Sequence, residues 1–234
     1  MSHHLRVDIH SHLIPGIDDG SKTMFESVKY VRMMKDLGYE KLITTPHIMS
    51  HRYKNSKEEI LEKLEYLKDA LQDYEVDMEL EAAAEYYLDD YFLELLEKGD
   101  MLTFGDRYLL FEMSYTRAPN DLTDIVLEIE RGGYKPVLAH PERYLFMHND
   151  FEEYERLKDY GVYFQLNLNS LAGYYNRSVQ KTAHKLVEEG LIDFLGSDVH
   201  KERQIETLKS ILDSKEFQTI FKKNTILNNT LLPA

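Results

Sequence analysis

His10 and His12 stand one residue apart in Asp8-Ile9-His10-Ser11-His12, at the end of an apolar run over residues 5–9. In a β-strand alternate side chains share a face, so the two imidazoles point the same way. Such a pair is a bidentate clamp for zinc, iron or manganese-like ions. Taken alone, the pair is as well explained by two buried, hydrogen-bonded histidines. Further residues of ligand type follow apolar runs along the chain. His47 follows residues 41–45, Glu85 follows 78–84, Glu112 follows 108–111, His140 follows 136–139, and Asp198 with His200 follows 191–195. With no thiol among them, these groups suit a hydrolytic manganese, iron or zinc centre better than a structural zinc site, which favours cysteine. Metals bridged by a carboxylate and a hydroxide supply a nucleophile at neutral pH. Arg143 and Arg203 each lie three residues after a histidine of this set. They point to a phosphate ester, because planar guanidinium forks match phosphate oxygens.

Such residues need a scaffold that gathers strand ends. The apolar runs, with a further one at 162–168, alternate with helical patterns at 22–37, 57–74, 88–96, 121–130, 151–160, 178–189 and 203–212, and a last one around Phe217. Ser21 is the expected N-cap of the first helix. Seven strands alternating with helices predict parallel β/α units in one domain over residues 1–234, as a compact barrel or a doubly wound open sheet. Ligand-type residues at nearly every strand's C-terminal end favour the barrel, whose active site lies there.

Composition narrows the classes. Hydrophobic residues make up 43% of 234, enough for a sizeable core, and no low-complexity linker divides the chain. The formal charge is −14, which disfavours nucleic acid and anionic lipid as partners. No apolar run approaches the roughly 18 residues of a membrane span, and no signal peptide is recognisable. The absence of cysteine excludes disulfides and thiol chemistry and is compatible with a cytoplasmic protein. Residues 1–4, with His3 and His4, are assigned no chemistry. His51, His148 and His184 are expected at the surface, Tyr86 and Tyr87 as pocket wall or packing, and Asp8 as support for a ligand or a plain polar residue.

The motifs together resemble the polymerase and histidinol phosphatase (PHP) superfamily, and within it the bacterial metal-dependent protein tyrosine phosphatases of capsular and exopolysaccharide biosynthesis. The matching pieces are Asp8 to His12, Ile17 to Lys22, Thr44 to His47, Ala84 to Tyr87, Phe111 to Met113, Ala139 to Tyr144 and Gly196 to His200. The resemblance implies a distorted (β/α)7 barrel with three metal ions, manganese first, iron or zinc as alternatives. It places His10, His12, Glu85 and Asp198 on the first metal, and Glu85, Glu112 and His140 on the second. Asp19, His47 and His200 go to the third, with Asp18 competing for Asp19's place. Arg143 and Arg203 match phosphate-binding arginines. The implied reaction is hydrolysis of phosphotyrosine by a metal-bridging hydroxide, with His200 or a water giving the leaving phenolate its proton. The implied partner is a tyrosine autokinase of polysaccharide export. Rival readings keep the site for a small phosphate ester such as histidinol phosphate or for a phosphodiester, exchange it for C–N bond hydrolysis, or make the chain an inactive scaffold of polysaccharide assembly.

Overall fold

The computed structural model describes residues 5–232. All paired strands run parallel, in two sheets. The first holds β1 (Val7–Asp8), β2 (Lys41–Thr44) and β4 (Glu79–Ala82), in the order β1-β2-β4. The second holds β3 (His47–Ile48), β5 (Glu85–Tyr87), β6 (Tyr108–Glu112), β7 (Lys135–Ala139), β8 (Tyr163–Asn167) and β9 (Phe194–Gly196), in that order. Helices α1 (Met24–Asp36), α2 (Lys57–Asp73), α3 (Asp90–Lys98), α4 (Leu122–Arg131) and α5 (Phe151–Asp159) fall between strands. The short α6 (Leu168–Leu171) and α7 (Arg177–Glu188) join β8 to β9, and α8 (Glu202–Leu212) and α9 (Lys215–Lys223) follow.

Hydrogen bonding thus resolves nine strands among the described residues, where the apolar pattern predicts seven runs. The difference lies at Pro46 and at Ala83-Ala84. Proline has no amide hydrogen, so the ladder of β2 stops there and resumes as β3. The neighbouring run breaks in step, with Ala83 N donating to Thr44 O and Glu85 N to Pro46 O. The last expected run, 191–195, begins its pairing later, at Phe194. Ile192 N instead donates to the Asn224 side chain. Ser21 does not cap α1. Thr23 does, accepting from Glu26 N, because Ser21 is drawn into a tight loop by its own N–H bond to His12 O.

Two apolar clusters show what the strands enclose. The smaller contains Val7, Ile9, Ile43, Ala83, Leu110, Val137, Ala139 and Phe194 with Phe104, and none of these lies on an α-helix. Along β6, Leu110 joins this inner cluster while Leu109 and Phe111 join the larger one, packed with Ile125 and Ile129 of α4. That alternation is the period-two signature of strands with helices outside and a filled interior. The seam between β1 and β9 closes without a regular ladder. Asp198 N donates to His10 O and His12 N to Val199 O, at 2.7 and 2.9 Å. Deeper, Asn228 spans the gap, its amide donating to Val7 O and Leu195 O and accepting from Leu195 N.

Candidate metal centre

The ligand-type residues that follow the strands converge on one point. His10 and His12 are fully buried, their Nε2 atoms 3.3 Å apart. Glu85 Oε2 lies 3.3 Å from His10 Nε2, 3.4 Å from His12 Nε2 and 3.1 Å from His47 Nδ1. Its other oxygen sits 2.9 Å from His140 Nε2. Glu112 Oε1 approaches His47 Nδ1 at 3.1 Å. Asp198 Oδ1 faces His10, His12 and His200 at 3.3–3.6 Å. Asp19 Oδ1 stands 3.4 Å from both His47 Nε2 and His200 Nε2. All nine expected ligands therefore fall into overlapping groups whose ligand atoms lie within 4.8 Å of one another.

These residues fit a cationic group on the evidence of their own hydrogen bonds. His10 Nδ1 meets Gln165 Oε1 at 2.6 Å, His12 Nδ1 meets Asp18 Oδ2 at 2.8 Å, and His200 Nδ1 meets the Asp198 carbonyl at 3.0 Å. Each partner accepts only, so the ring protons sit on Nδ1 and the Nε2 lone pairs face inward. With the imidazoles neutral, lone pairs and carboxylate oxygens crowd one buried volume with no donor between them. Asp19 Oδ1, His47 Nδ1, Glu85 Oε2 and His140 Nδ1 are buried without a hydrogen-bond partner. That arrangement is repulsive until a cation enters it.

The field there is strongly negative. Burial works against the charge on Glu85, but His10 and His47 outweigh it and hold the carboxyl well below its usual range. Burial likewise opposes the charge on Asp198, and His10 prevails to hold it low. Burial disfavours protonated His10, yet Glu85 and Asp198 raise it above its ordinary value. His140 goes the other way, lowered by burial and by Arg143. A field that draws protons onto imidazoles draws metal cations to the same lone pairs.

The paired aspartates are turned apart. Asp18 accepts from His12 Nδ1, Gly20 N and His47 N, which fixes its carboxylate behind the cluster. Burial opposes its charge, but His12 outweighs this and sets its pKa at about 2. Asp19 faces the cluster from the other side. Two glycines permit this packing. A Cβ on Gly20 would lie 2.1 Å from His12 O, and one on Gly196 would lie 2.7 Å from His10 Cβ. His140 and Asp198 adopt left-handed φ values of 36° and 50°, a local strain of order 1–3 kcal/mol each that the surrounding bonds hold in place.

Beside the cluster opens a pocket of about 550 Å³ whose lining includes Arg52, Tyr53, Tyr87, Met113, Tyr115, Arg143, Tyr174, Tyr175 and Lys201. Arg143 is clamped. Its guanidinium carbon lies 4.5 Å from the Tyr115 ring centre and 4.4 Å from that of Tyr175, and Nη1 bonds Asp198 Oδ2 at 3.0 Å. Arg203 is exposed on α8, 5.9 Å from the ring of Tyr174 at the pocket's rim, and does not line it. Helix phase explains this: Gln204, Ile205, Leu208 and Ile211 are buried, which turns Arg203 to solvent. Sequence reasoning missed Arg52, Lys201, Tyr115, Tyr174 and Tyr175, none of which sits in a strand-end motif. Tyr87 walls the pocket, whereas Tyr86 is buried packing whose hydroxyl accepts from Leu102 N. Asp8 supports the seam rather than a ligand, accepting from Ser197 N and Oγ. His51 is exposed and His184 partly buried; His148 bonds Ser178 Oγ and Glu142 O. His3 and His4 lie outside the described residues.

The family model for capsular polysaccharide synthesis proteins, CpsB/CapC, matches residues 6–226. The chain belongs to this family. It is 27% identical over 195 residues to the putative tyrosine-protein phosphatase CapC of Staphylococcus aureus, covering 83% of this chain and 76% of that one. It is 28% identical over 215 residues to the tyrosine-protein phosphatase YwqE of Bacillus subtilis, covering 90% and 85%. Among solved structures, one from the work on the metal-dependent tyrosine phosphatases YwqE of Bacillus subtilis and CpsB of Streptococcus pneumoniae superposes with a TM-score of 0.81. That likeness spans 97% of this chain and 99% of the other at 24% identity, so it is a likeness of fold. Among the described residues no helix is long and apolar enough to cross a membrane.

Proposed function

We propose that this CpsB/CapC protein is a metal-dependent protein tyrosine phosphatase acting in capsular or exopolysaccharide synthesis. The observation that carries the reading is the inward-facing cluster of imidazoles and carboxylates beside a guanidinium fixed between two tyrosine rings. The relatives named as tyrosine-protein phosphatases support the substrate class. The nine strands are read as seven barrel positions of PHP type in a single domain, with β2 continuing into β3 and β4 into β5.

Three ions are assigned, manganese first, with iron or zinc as alternatives. His10, His12, Glu85 and Asp198 hold one, Glu85, Glu112 and His140 a second, and Asp19, His47 and His200 a third. Bound there, divalent ions supply Lewis acidity toward phosphoryl oxygens and bring the pKa of water toward neutrality. The chain's own residues do the rest. Arg143 presents its remaining N–H edge to the phosphoryl oxygens, because both its faces are covered. Tyr87, Tyr115, Tyr174 and Met113 exclude water and accept the phenyl ring. The leaving phenolate, whose conjugate acid has a pKa of about 10, takes its proton from water rather than from His200, whose Nδ1 proton is committed to the Asp198 carbonyl and whose Nε2 faces the third ion's site. Arg203 stands further out, where it meets the polypeptide around the phosphotyrosine. The partner is a phosphotyrosine protein, a tyrosine kinase of polysaccharide export, and the compartment is the cytoplasm.

The test is a side-by-side assay of phosphotyrosine peptides, histidinol phosphate and a nucleotide diester with metal-reconstituted protein. Preference for the peptides is expected. His10→Ala and Asp198→Ala should fold, by circular dichroism, and be inactive. Full activity in metal-stripped protein, or preference for histidinol phosphate, would overturn the assignment.

A further inference from the structure

β8 lies between β7, which leads to His140, and β9, which leads to Asp198, yet it supplies none of the nine ligand-type residues. Its inward polar side chains are instead Gln165 and Asn167, both fully buried. Gln165 Oε1 takes the His10 Nδ1 proton at 2.6 Å and lies 3.4 Å from the His140 amide nitrogen, which donates to it. Gln165 Nε2 donates to Asn167 Oδ1 at 3.0 Å. Asn167 Nδ2 donates to Asp198 Oδ2 at 2.7 Å, where the Tyr175 hydroxyl, 3.0 Å away, and Arg143 also donate.

The direction of this chain is fixed from its far end. A carboxylate only accepts, so Asn167 must turn its NH2 to Asp198 and its oxygen to Gln165. Gln165 must then turn its NH2 to Asn167 and its oxygen to His10. The proton of His10 is thereby held on Nδ1, and Nε2 is left bare toward the cluster. The same chain holds Asp198 Oδ2 outward, so that Oδ1 faces His10 and His12. We infer that Gln165 and Asn167 are positioning residues of the metal centre, one relay that sets the tautomer of His10 and the rotation of Asp198. This rests on the metal-centre reading above and adds two residues to it. Orienting partners of this kind change metal affinity by about 10- to 100-fold.

The test measures manganese(II) affinity of the full chain by competition with a fluorescent chelator, alongside melting of the metal-free protein. Gln165→Leu removes the acceptor and should weaken manganese binding by about 10- to 100-fold. Gln165→Glu restores an acceptor for the Nδ1 proton and should recover the part of the loss that comes through His10, while the missing donation to Asn167 keeps it below wild type. A purely structural role for Gln165 would lower the metal-free melting temperature and leave affinity unchanged. Binding by Gln165→Leu within about 2-fold of wild type, or Gln165→Glu as weak as Gln165→Leu, would overturn the relay. Should Gln165→Leu not fold, imidazole nitrogen NMR of zinc-loaded wild type reads the tautomer directly. A proton on His10 Nδ1 is expected, and one on Nε2 overturns the inference. Wild-type protein that takes up no manganese would remove the centre itself, a different outcome from loss of the relay alone.

Discussion

Replacing Arg143 with lysine separates charge from shape. The guanidinium lies between the rings of Tyr115 and Tyr175 at 4.5 and 4.4 Å, so only its edge is free, and one edge nitrogen already bonds Asp198. A lysine keeps the positive charge, but its compact ammonium cannot lie flat between the rings or offer two parallel donors. At least one charge-assisted hydrogen bond to a phosphoryl oxygen is lost, worth about 1.5–3 kcal/mol. At about 1.4 kcal/mol per factor of ten, kcat/KM for a phosphotyrosine peptide should fall by about 10- to 150-fold. Asp198 keeps Asn167 and Tyr175 as donors, so metal content should change little. The assay is steady-state kinetics on metal-saturated Arg143→Lys, with metal content measured on the same sample. A kcat/KM within about 2-fold of wild type refutes the phosphate-binding role. A loss fully accounted for by missing metal would show that the arginine serves the centre rather than the substrate.

Three further outcomes follow from the buried groups. Burial pushes the Glu142 carboxyl up to about 7, above its unfolded value, so the folded state binds more protons between these two pKa values and stability falls as pH rises through that window. Glu142→Gln should therefore match wild type in melting temperature near pH 4 and exceed it near pH 8; an unchanged difference across that range refutes the shift. Gly196→Ala brings a methyl to 2.7 Å from His10 Cβ and 2.5 Å from Gln165 Nε2, and should cost about 1–3 kcal/mol in urea unfolding together with weaker metal retention. Asn228→Ala leaves Leu195 N without its acceptor and Val7 O without its amide donor, and should lower stability by about 2–4 kcal/mol without changing which phosphoesters are hydrolysed.

The candidate ligands were legible because strands such as β6, β7 and β9 run through apolar residues toward their C-terminal ends, so a histidine or carboxylate at that boundary stands out. Position along a strand translates directly into position at one end of the parallel sheets. Direction is another matter. Asp18 and Asp19 are adjacent and chemically alike, and their opposite orientations depend on the Gly20 and His47 amides that Asp18 captures. Arg203 fits a spacing argument, but the phase of α8 turns it outward, and that phase is set by which residues α8 buries. The tyrosines around Arg143 come from separate loops and carry no shared spacing. Gln165 and Asn167 look like ordinary polar residues on a strand, and only the direction of their hydrogen bonds gives them a role. The break at Pro46 is visible in the sequence, but the matching break at Ala83-Ala84 follows from pairing rather than from its own residues.

The seam between β1 and β9 has a consequence for how the protein comes into being. Asn228 contacts Val7 across 221 residues of chain, and His10 shares its cluster with His200. At roughly 5–20 residues per second, the ribosome needs on the order of 10–40 s to travel from His12 to Asn228. For most of that interval the first histidine pair is already made while Asp198 and His200 do not yet exist, and the stitching amide of Asn228 comes last. Contacts of such long range form late in folding as well as late in synthesis. The complete cluster of imidazoles and carboxylates therefore exists only once the C-terminal part of the chain has folded back onto β1.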